Sequence, residues 1–345
     1  MGSVRAGAWV GLDRAVTANE GVALIVVLWM VMVLSLLISG FAFTMQVESQ
    51  VASLGRKQLK AELLARSGVE LVRMQLLLGA QAGINHGFDA LNQDWATNET
   101  WYVNHVLGDG VINVKVIDEE RKLPINRASP EQLKRLLDLV GVDPSDSDVI
   151  VDSILDWIQP GDLHRLNGAK DDYYLNLSPP YHCKGAPLDR VEELLLVRGV
   201  TPELLRGAAG AEDEDAHPGL AELVTTTSSG QVNVNTASAM VLKTLLGLDD
   251  ARAEAVLSRR DGPDGVAGTE DDQPYRNVGE FMAVVGALPP SVQAQAQQVL
   301  TVNSTFFTVI ATGEVGNVKR QVIAILRRNA GVVTVASWRE QRVRS

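Results

Sequence analysis

The strongest pattern along the chain is a long run without charge. Residues 21–43 read GVALIVVLWMVMVLSLLISGFAF, and no charged residue occurs from Gly21 to Val47; Glu48 ends the run. A bilayer core needs about 20 apolar residues in a helix, so this segment is long enough to span one. The plain alternative is a buried core helix, but soluble helices rarely run this far without a charge. A removable signal peptide would have a shorter apolar core, about 7–15 residues, followed by a small-residue cleavage site. Beyond the run, apolar residues recur at helical spacing at Val47, Val51, Leu54, Leu63, Leu64, Leu71 and Leu78. No proline interrupts residues 22–78. One helix is therefore predicted, ~85 Å long at about 1.5 Å per residue, apolar in its first half and amphipathic in its second. Gly55 and Gly68 are the positions where it is expected to kink.

The pattern then changes from helical period to alternation. Residues 101–118, WYVNHVLGDGVINVKVID, read as a hairpin whose two β-branched and aromatic runs flank Gly108, Asp109 and Gly110. Near the other end, Phe306–Arg328 repeats the signal around a turn at Val315, Gly316 and Asn317, and a last strand is expected over Val332–Trp338. The two strand regions lie far apart in sequence, so about residues 123–300 are inserted between them.

That insert contains an internal repeat. NRASPEQLKRLL (126–137) aligns with NTASAMVLKTLL (235–246), with seven of twelve positions identical. Ser129 and Ser238 are placed to cap the helices that follow, and Pro130 suits a first helical position. Each unit continues alike: VEEL from Val191, closed at Gly199, matches VGEF from Val278, closed at Gly286. Both units read as helix, helix, then a short helix with a glycine stop. The units, near 123–205 and 231–292, resemble helix-hairpin-helix or SAM-like modules.

Charge bears on that resemblance, because helix-hairpin-helix proteins hold DNA phosphates on glycine turns. The chain has 345 residues, 42 acidic against 31 basic, for a net charge of -11. Residues 123–280 hold 28 acidic and 14 basic residues, so the insert is the acidic part. The helix ends at Gly141, Gly199, Gly247 and Gly286 lack the second glycine of the hairpin, and Asp143 and Asp249 stand where a phosphate would bind. A phosphate binder needs the opposite sign. Protein–protein packing is the expected use of the repeats. With one cysteine, Cys183, no intramolecular disulfide and no multi-cysteine zinc site can form.

A short polar leader, a glycine, an uncharged apolar run and an amphipathic continuation together resemble a type IV pilin or pseudopilin. That resemblance implies a leader over residues 1–21, cut by a prepilin peptidase between Gly21 and Val22, with Val22 becoming the N-methylated first residue. It implies a membrane part over 22–45, a pilin-like domain over 46–122 completed by 301–340, and the α-domain of 123–300 between them. Asn19 and Glu20 precede the glycine where that class usually carries a basic residue. Arg5 and Arg14 balance Asp13 and Glu20, so charge counting gives no orientation. Most pilins place a glutamate at the fifth mature position; here it is Val26. A buried carboxylate is costly unless paired with a neighbour's free amine. A subunit at a filament tip has no neighbour ahead, so the missing acid fits a tip.

The chain as a whole is identified as a member of the type II secretion system protein K family, from its DWI (156–158), GAKDDYY (168–174), PPY (179–181), RGVTPE (198–203) and VNVNTA (232–237) segments. The resemblance implies an α+β, pilin-like fold: a long N-terminal helix, partly transmembrane, packed on a small antiparallel sheet, with a large inserted α-helical domain. It implies a minor pseudopilin at the pseudopilus tip with minor pseudopilins I and J, anchored once in the inner membrane, its soluble part periplasmic. It also implies calcium in the α-domain. Two acidic stretches are candidates: Asp261, Asp264, Glu270, Asp271 and Asp272 among glycines, and Asp162, Asp171 and Asp172 with Asp156. Carboxylates in a glycine-rich loop suit a hard, oxygen-seeking cation. The first loop departs from the EF-hand pattern at Pro263 and Gly265. The plain readings are a solvated acidic turn and helix capping.

No catalytic constellation is legible. His86, His105, His164, His182 and His217 are scattered, the adjacent His182 and Cys183 are poorly placed for a nucleophile–base pair, and no phosphate loop or zinc signature occurs. The expectation is a non-enzyme that binds no nucleic acid. Two other classes remain open at this point: a membrane-anchored DNA-binding protein using the hairpin modules, and an anchored calcium-dependent adhesin.

Overall fold

A computed structural model describes residues 19–81, 87–207, 217–329 and 331–342. Residues 1–18 of the leader expected over 1–21, and the acidic run Glu212–Asp215, lie outside them. The chain divides into two compact units at Lys57. Among the described residues, the first consists of the start of helix α1 (Asn19–Gln81), with its apolar side chains from Val22 to Met45 exposed.

In the second unit, α1 passes through Gly68 without interruption. A Cβ at that position would meet the side chains of Ala311, Ile112 and Val114 at 3.0 Å. The glycine is there to let the helix lie close on a sheet, not to bend it. Ala65, Val69, Val72 and Leu76 form the packed face. After α1 come α2 (Asp94–Thr97), α3 (Glu99–Tyr102), β1 (His105–Leu107) and β2 (Gly110–Asp118). The expected first run of the hairpin is thus shortened. Asn98 accepts the Trp101 N–H at 3.2 Å and caps a helical turn, leaving only His105–Leu107 to pair across Gly108 and Asp109.

The chain then leaves the sheet through β3 (Leu123–Pro124), α4 (Pro130–Leu139), α5 (Pro144–Ile158), α6 (Asp171–Tyr174), α7 (Pro202–Arg206), α8 (Leu220–Leu223), β4 (Val224–Thr225) and β5 (Val232–Asn233). It continues through α9 (Ala239–Leu246), α10 (Asp250–Arg260), α11 (Val278–Val285), α12 (Pro290–Val299) and β6 (Leu300–Thr301). It returns as β7 (Phe306–Val315), β8 (Val318–Asn329) and β9 (Val332–Arg342). The sheet order is β1-β2-β7-β8-β9, antiparallel throughout. β7 alternates half-buried and buried along its whole length, with Phe307, Val309 and Ala311 turned to α1. The last strand runs four residues past the expected end at Trp338, to Arg342.

The repeat is visible in the packing. α4 and α9, which begin the two aligned stretches, lie against each other, and Leu133, Leu136 and Leu137 share one core with Leu242, Leu245 and Leu246. Ser129 and Ser238 cap them as expected, accepting N–H bonds from Gln132 at 3.2 Å and Val241 at 3.3 Å. The units differ in their third helix: Val278–Val285 is α-helical, whereas Val191–Leu196 is 3-10. The helical core is a cluster separate from the sheet–α1 core. Two short parallel pairs, Leu123 with Val224 and Val232 with Leu300, tie the helical segment together where the chain enters and leaves.

Candidate functional site

Three features of the molecule bear on function: an apolar helix start, an exposed groove along α1, and a buried acidic junction between sheet and helices. The apolar start contains an 18-residue window of mean hydropathy 2.9, none of it buried, so the helix is long and apolar enough to cross a membrane. Gly21 and Val22 lie inside α1 near its beginning.

In the second unit, the outer face of α1 borders a groove of about 850 Å³. Leu63, Leu71 and Met74 line its floor, Trp101 and Leu107 one wall, and Trp338 the other. Five of these six side chains, all but Leu71, are exposed. Arg66 pairs with Glu340 at 2.8 Å, and the Trp338 indole N–H donates to the same carboxylate at 2.9 Å, which holds β9 against the helix. At the turn between β1 and β2, Asp109 pairs with Lys60 at 2.7 Å, so that hairpin too is tied to α1.

The junction is formed where the chain crosses between sheet and helices. Asp89, Asp118, Glu119 and Glu120 are all buried. Asp118 accepts hydroxyl bonds from Thr236 at 2.5 Å and Ser304 at 2.6 Å. Glu120 accepts backbone N–H bonds from Ser229, Thr305 and Phe306 at 2.9–3.2 Å. Glu119 accepts hydroxyls from Thr225 and Thr308, each at 2.6 Å, and pairs with Lys122 at 3.1 Å. Arg328 pairs with Asp89, which also accepts the Ser304 N–H at 2.7 Å. Burial, with Glu120 and Asp89 nearby, pushes the Asp118 carboxyl up to about 7, and burial raises Glu120 as well. The arrangement binds strands β2 and β7 to the loops at 225–236 by acceptors rather than by apolar contact. Sequence reading missed it. The available signal was three consecutive acids closing an apolar strand.

The two acidic stretches are built differently. In the first, Gly262, Gly265 and Gly268 adopt positive φ and fold the loop back on itself. Asp271 accepts from the Asp264 N–H at 3.1 Å and the Thr269 hydroxyl at 2.6 Å, and Asp272 accepts from the Gly268 N–H at 2.7 Å. The Thr269 bond holds Asp271 below the usual carboxylate range, while burial raises Asp272. Asp261, whose charge also acts on Asp272, pairs with Arg260 at 2.6 Å. In the second stretch, Asp156 pairs with Arg165 at 2.6 Å, and Asp171 accepts from His182 and the Cys183 N–H, each at 2.7 Å. Asp172 faces His164 at 3.5 Å, and Asp162 is exposed. Among the described residues, no group of three or more His, Cys, Asp or Glu side chains is arranged to hold a metal ion. The two side chains engage different partners: His182 bonds Asp171, whereas the Cys183 thiol points to the Asp156 carbonyl, and burial pushes its pKa up.

The central signature segments converge as packing. Trp157 stands edge-on to Tyr174 at 5.1 Å, and Tyr174 stacks on Tyr181 at 5.4 Å.

Two models of the type II secretion system protein K family match the chain, over residues 110–209 and 232–303. The chain belongs to the type II secretion system protein K family. Those segments run from β2 to α7 and from β5 to just past β6, so they take in both repeats and, of the junction, Asp118, Glu119, Glu120 and Thr236. The chain is 25% identical to type II secretion system protein K of Pseudomonas aeruginosa over 330 residues, covering 90% of this chain and 89% of that protein. It is 30% identical to protein K of Dickeya chrysanthemi over 181 residues, half of this chain but only 44% of that protein. Its fold is similar to a crystal structure of the GspK–GspI–GspJ complex from enterotoxigenic Escherichia coli, with a TM-score of 0.65 at 18% identity, over 86% of this chain and all of that one. That likeness establishes the pilin-like fold. Family membership leaves the DNA-binding reading without support. Within the fold, Asp249 itself occupies the N-terminus of α10, accepting the Arg252 N–H at 2.9 Å where a phosphate would have to sit.

Proposed function

We propose that this chain is a minor pseudopilin of the type II secretion system that caps the pseudopilus tip and helps to start its assembly. The observation that carries the reading is the helical segment between β2 and β7, with a core of its own beside the α1–sheet core. Subunits in a filament shaft pack around their N-terminal helices, and a body of this size suits the end better than the wall. Val26 agrees, because a tip subunit has no subunit ahead whose amine a carboxylate would need. Elongation beneath such a cap would push secreted protein outward by position alone, and no catalytic group is required.

The same reading takes minor pseudopilins I and J as partners, the inner membrane as anchor and the periplasm as the location of the rest. It takes prepilin peptidase as the enzyme that cuts between Gly21 and Val22. The domain boundaries follow it: leader to residue 21, membrane part to 45, pilin-like parts at 46–122 and 301–340, inserted α-domain at 123–300. The deciding experiment mixes the purified chain in detergent with the soluble domains of the organism's own I and J and measures mass by light scattering. A one-to-one-to-one complex is expected; a chain that ignores both proteins removes the proposal. Gly21→Ala is expected to block leader processing in cells, read as a larger band on a gel.

Calcium belongs to the same reading. Asp264, Glu270, Asp271 and Asp272 of the 261–272 loop are oxygen donors of the kind that ion takes, and since no three of them converge on one point, binding would have to draw them together, fastening the loop between α10 and α11. The second stretch fits less well, since Arg165 and His182 already hold Asp156 and Asp171. A melting temperature higher in excess calcium than in chelator is expected, and Asp271→Asn should remove the difference.

A further inference from the structure

The two edges of the sheet are guarded unequally. β1 is three residues long, too short to template another strand. β9 is eleven residues long, free of proline, and exposed at every position except Val333. At its beginning the edge is closed: Arg73 donates to the Val333 carbonyl at 3.1 Å. A bulge follows, since Ile325 pairs with Ser337 and Leu326 with Val335, leaving Ala336 extra. From Ser337 to Arg342 the register with β8 is regular again.

This open stretch is basic in an acidic protein. The chain has a net charge of -11, yet residues 319–345 contain seven basic residues and one acidic. Arg320 lies directly opposite Arg342 in the β8–β9 register, and like charges facing across strands repel. Neither of them, nor Arg339, has an ion-pair partner among the described residues. Glu340, the only acid of β9, is already engaged by Arg66.

We propose that Ser337–Arg342 of β9 is a strand-addition site for an extended, acidic segment of another protein. Backbone pairing would fill the edge, and carboxylates at alternate positions, which line one face of the added strand, would meet the Arg320–Arg342 pair or, in the register shifted by one, Arg339 on the other face. A smooth anionic surface would use the cations but leave the backbone edge unfilled, so a protein strand fits both observations. The inference rests on this edge alone and stands whether or not the chain caps a pseudopilus.

The test uses the full chain in detergent and a fluorescein-labelled peptide of about seven residues alternating glutamate and valine, a length that matches the open edge. A lysine–valine peptide and a glutamate–valine peptide with a central proline serve as comparisons. The acidic peptide is expected to bind at least about tenfold more tightly than the lysine peptide and to weaken in about 0.5 M salt. It should also slow hydrogen exchange of the amides at 337–342. The double variant Arg339→Ser, Arg342→Ser, both exposed, should lose binding while keeping its melting temperature. Equal binding of the proline peptide, or binding without amide protection, would mean charge attraction alone and overturn strand addition. Failure of the acidic peptide to bind, or self-association of the chain through the same edge, would overturn it as well.

Discussion

Asp118 shows how a single side chain sets a property of the whole fold. An unfolded aspartate ionises near pH 3.9. Burial keeps the proton on folded Asp118 up to about 7. Between those values the folded state binds more protons than the unfolded one, so this residue's contribution to stability is greatest in acid and is lost as pH rises through about 7. Glu120 acts in the same direction. The charges facing them are Asp89 with its Arg328 and Glu119 with its Lys122. Asp118→Asn is expected to flatten the fall of melting temperature between about pH 4 and pH 8; an unchanged slope would move the effect elsewhere. Gly68 is the second residue with a large predicted consequence. Any Cβ there must displace three side chains already at 3.0 Å. Gly68→Leu should therefore cost about 3 kcal/mol, read from chemical denaturation, whereas the same change at Gly40, with open space around it, should cost little.

At the scale of elements, local chemistry was a good guide where it acted alone. The capping serines, the two-residue turns at Gly108–Asp109 and Gly316–Asn317, and the alternation in β7 all follow from neighbours in sequence. Ser129 has a reciprocal arrangement, its N–H donating to the Gln132 side chain at 2.9 Å while its hydroxyl accepts in return. Ser129→Ala should lower stability by about 1 kcal/mol in a melting experiment, and Ser238→Ala, whose hydroxyl also caps, by a similar amount. Local reading went wrong where a competing signal lay close by. Trp101 and Tyr102 have strand-forming side chains, but Asn98 begins a helix just before them. Val191–Leu196 matched an α-helix by repeat, yet winds as a 3-10 helix. Gly68 read as a kink because a lone glycine in a helix weakens it; its reason lies across the interface, in Ala311, Ile112 and Val114.

For the whole molecule, the separation of cores is the main fact. The helical segment leaves the sheet after Asp118 and returns before Phe306, and the acidic junction holds the two crossings together by hydrogen bonds. Thr308→Val and Thr225→Val, which remove hydroxyl donors to Glu119 at similar volume, should each destabilise the protein by about 1–3 kcal/mol, because a buried carboxylate loses a partner. Their effects should not add, since both act on one carboxylate, and a double-mutant cycle measures that directly.

The sequence by itself determined the apolar helix, the amphipathic continuation, the two hairpin regions, the insertion between them, the repeat with its caps, and the family resemblance that membership then confirmed. These are properties of periodicity, turn chemistry and short motifs, which act over a few residues. Tertiary structure decided the rest. It brought Asp89, Asp118, Asn233, Ser304 and Arg328 to one place from positions spread over most of the chain. It gave the Asp261 carboxylate to Arg260, and Asp156 and Asp171 to Arg165 and His182. It also chose β9 as the open edge, with Arg320 facing Arg342. Pairing order and burial depend on which distant segments meet, and no local pattern records that.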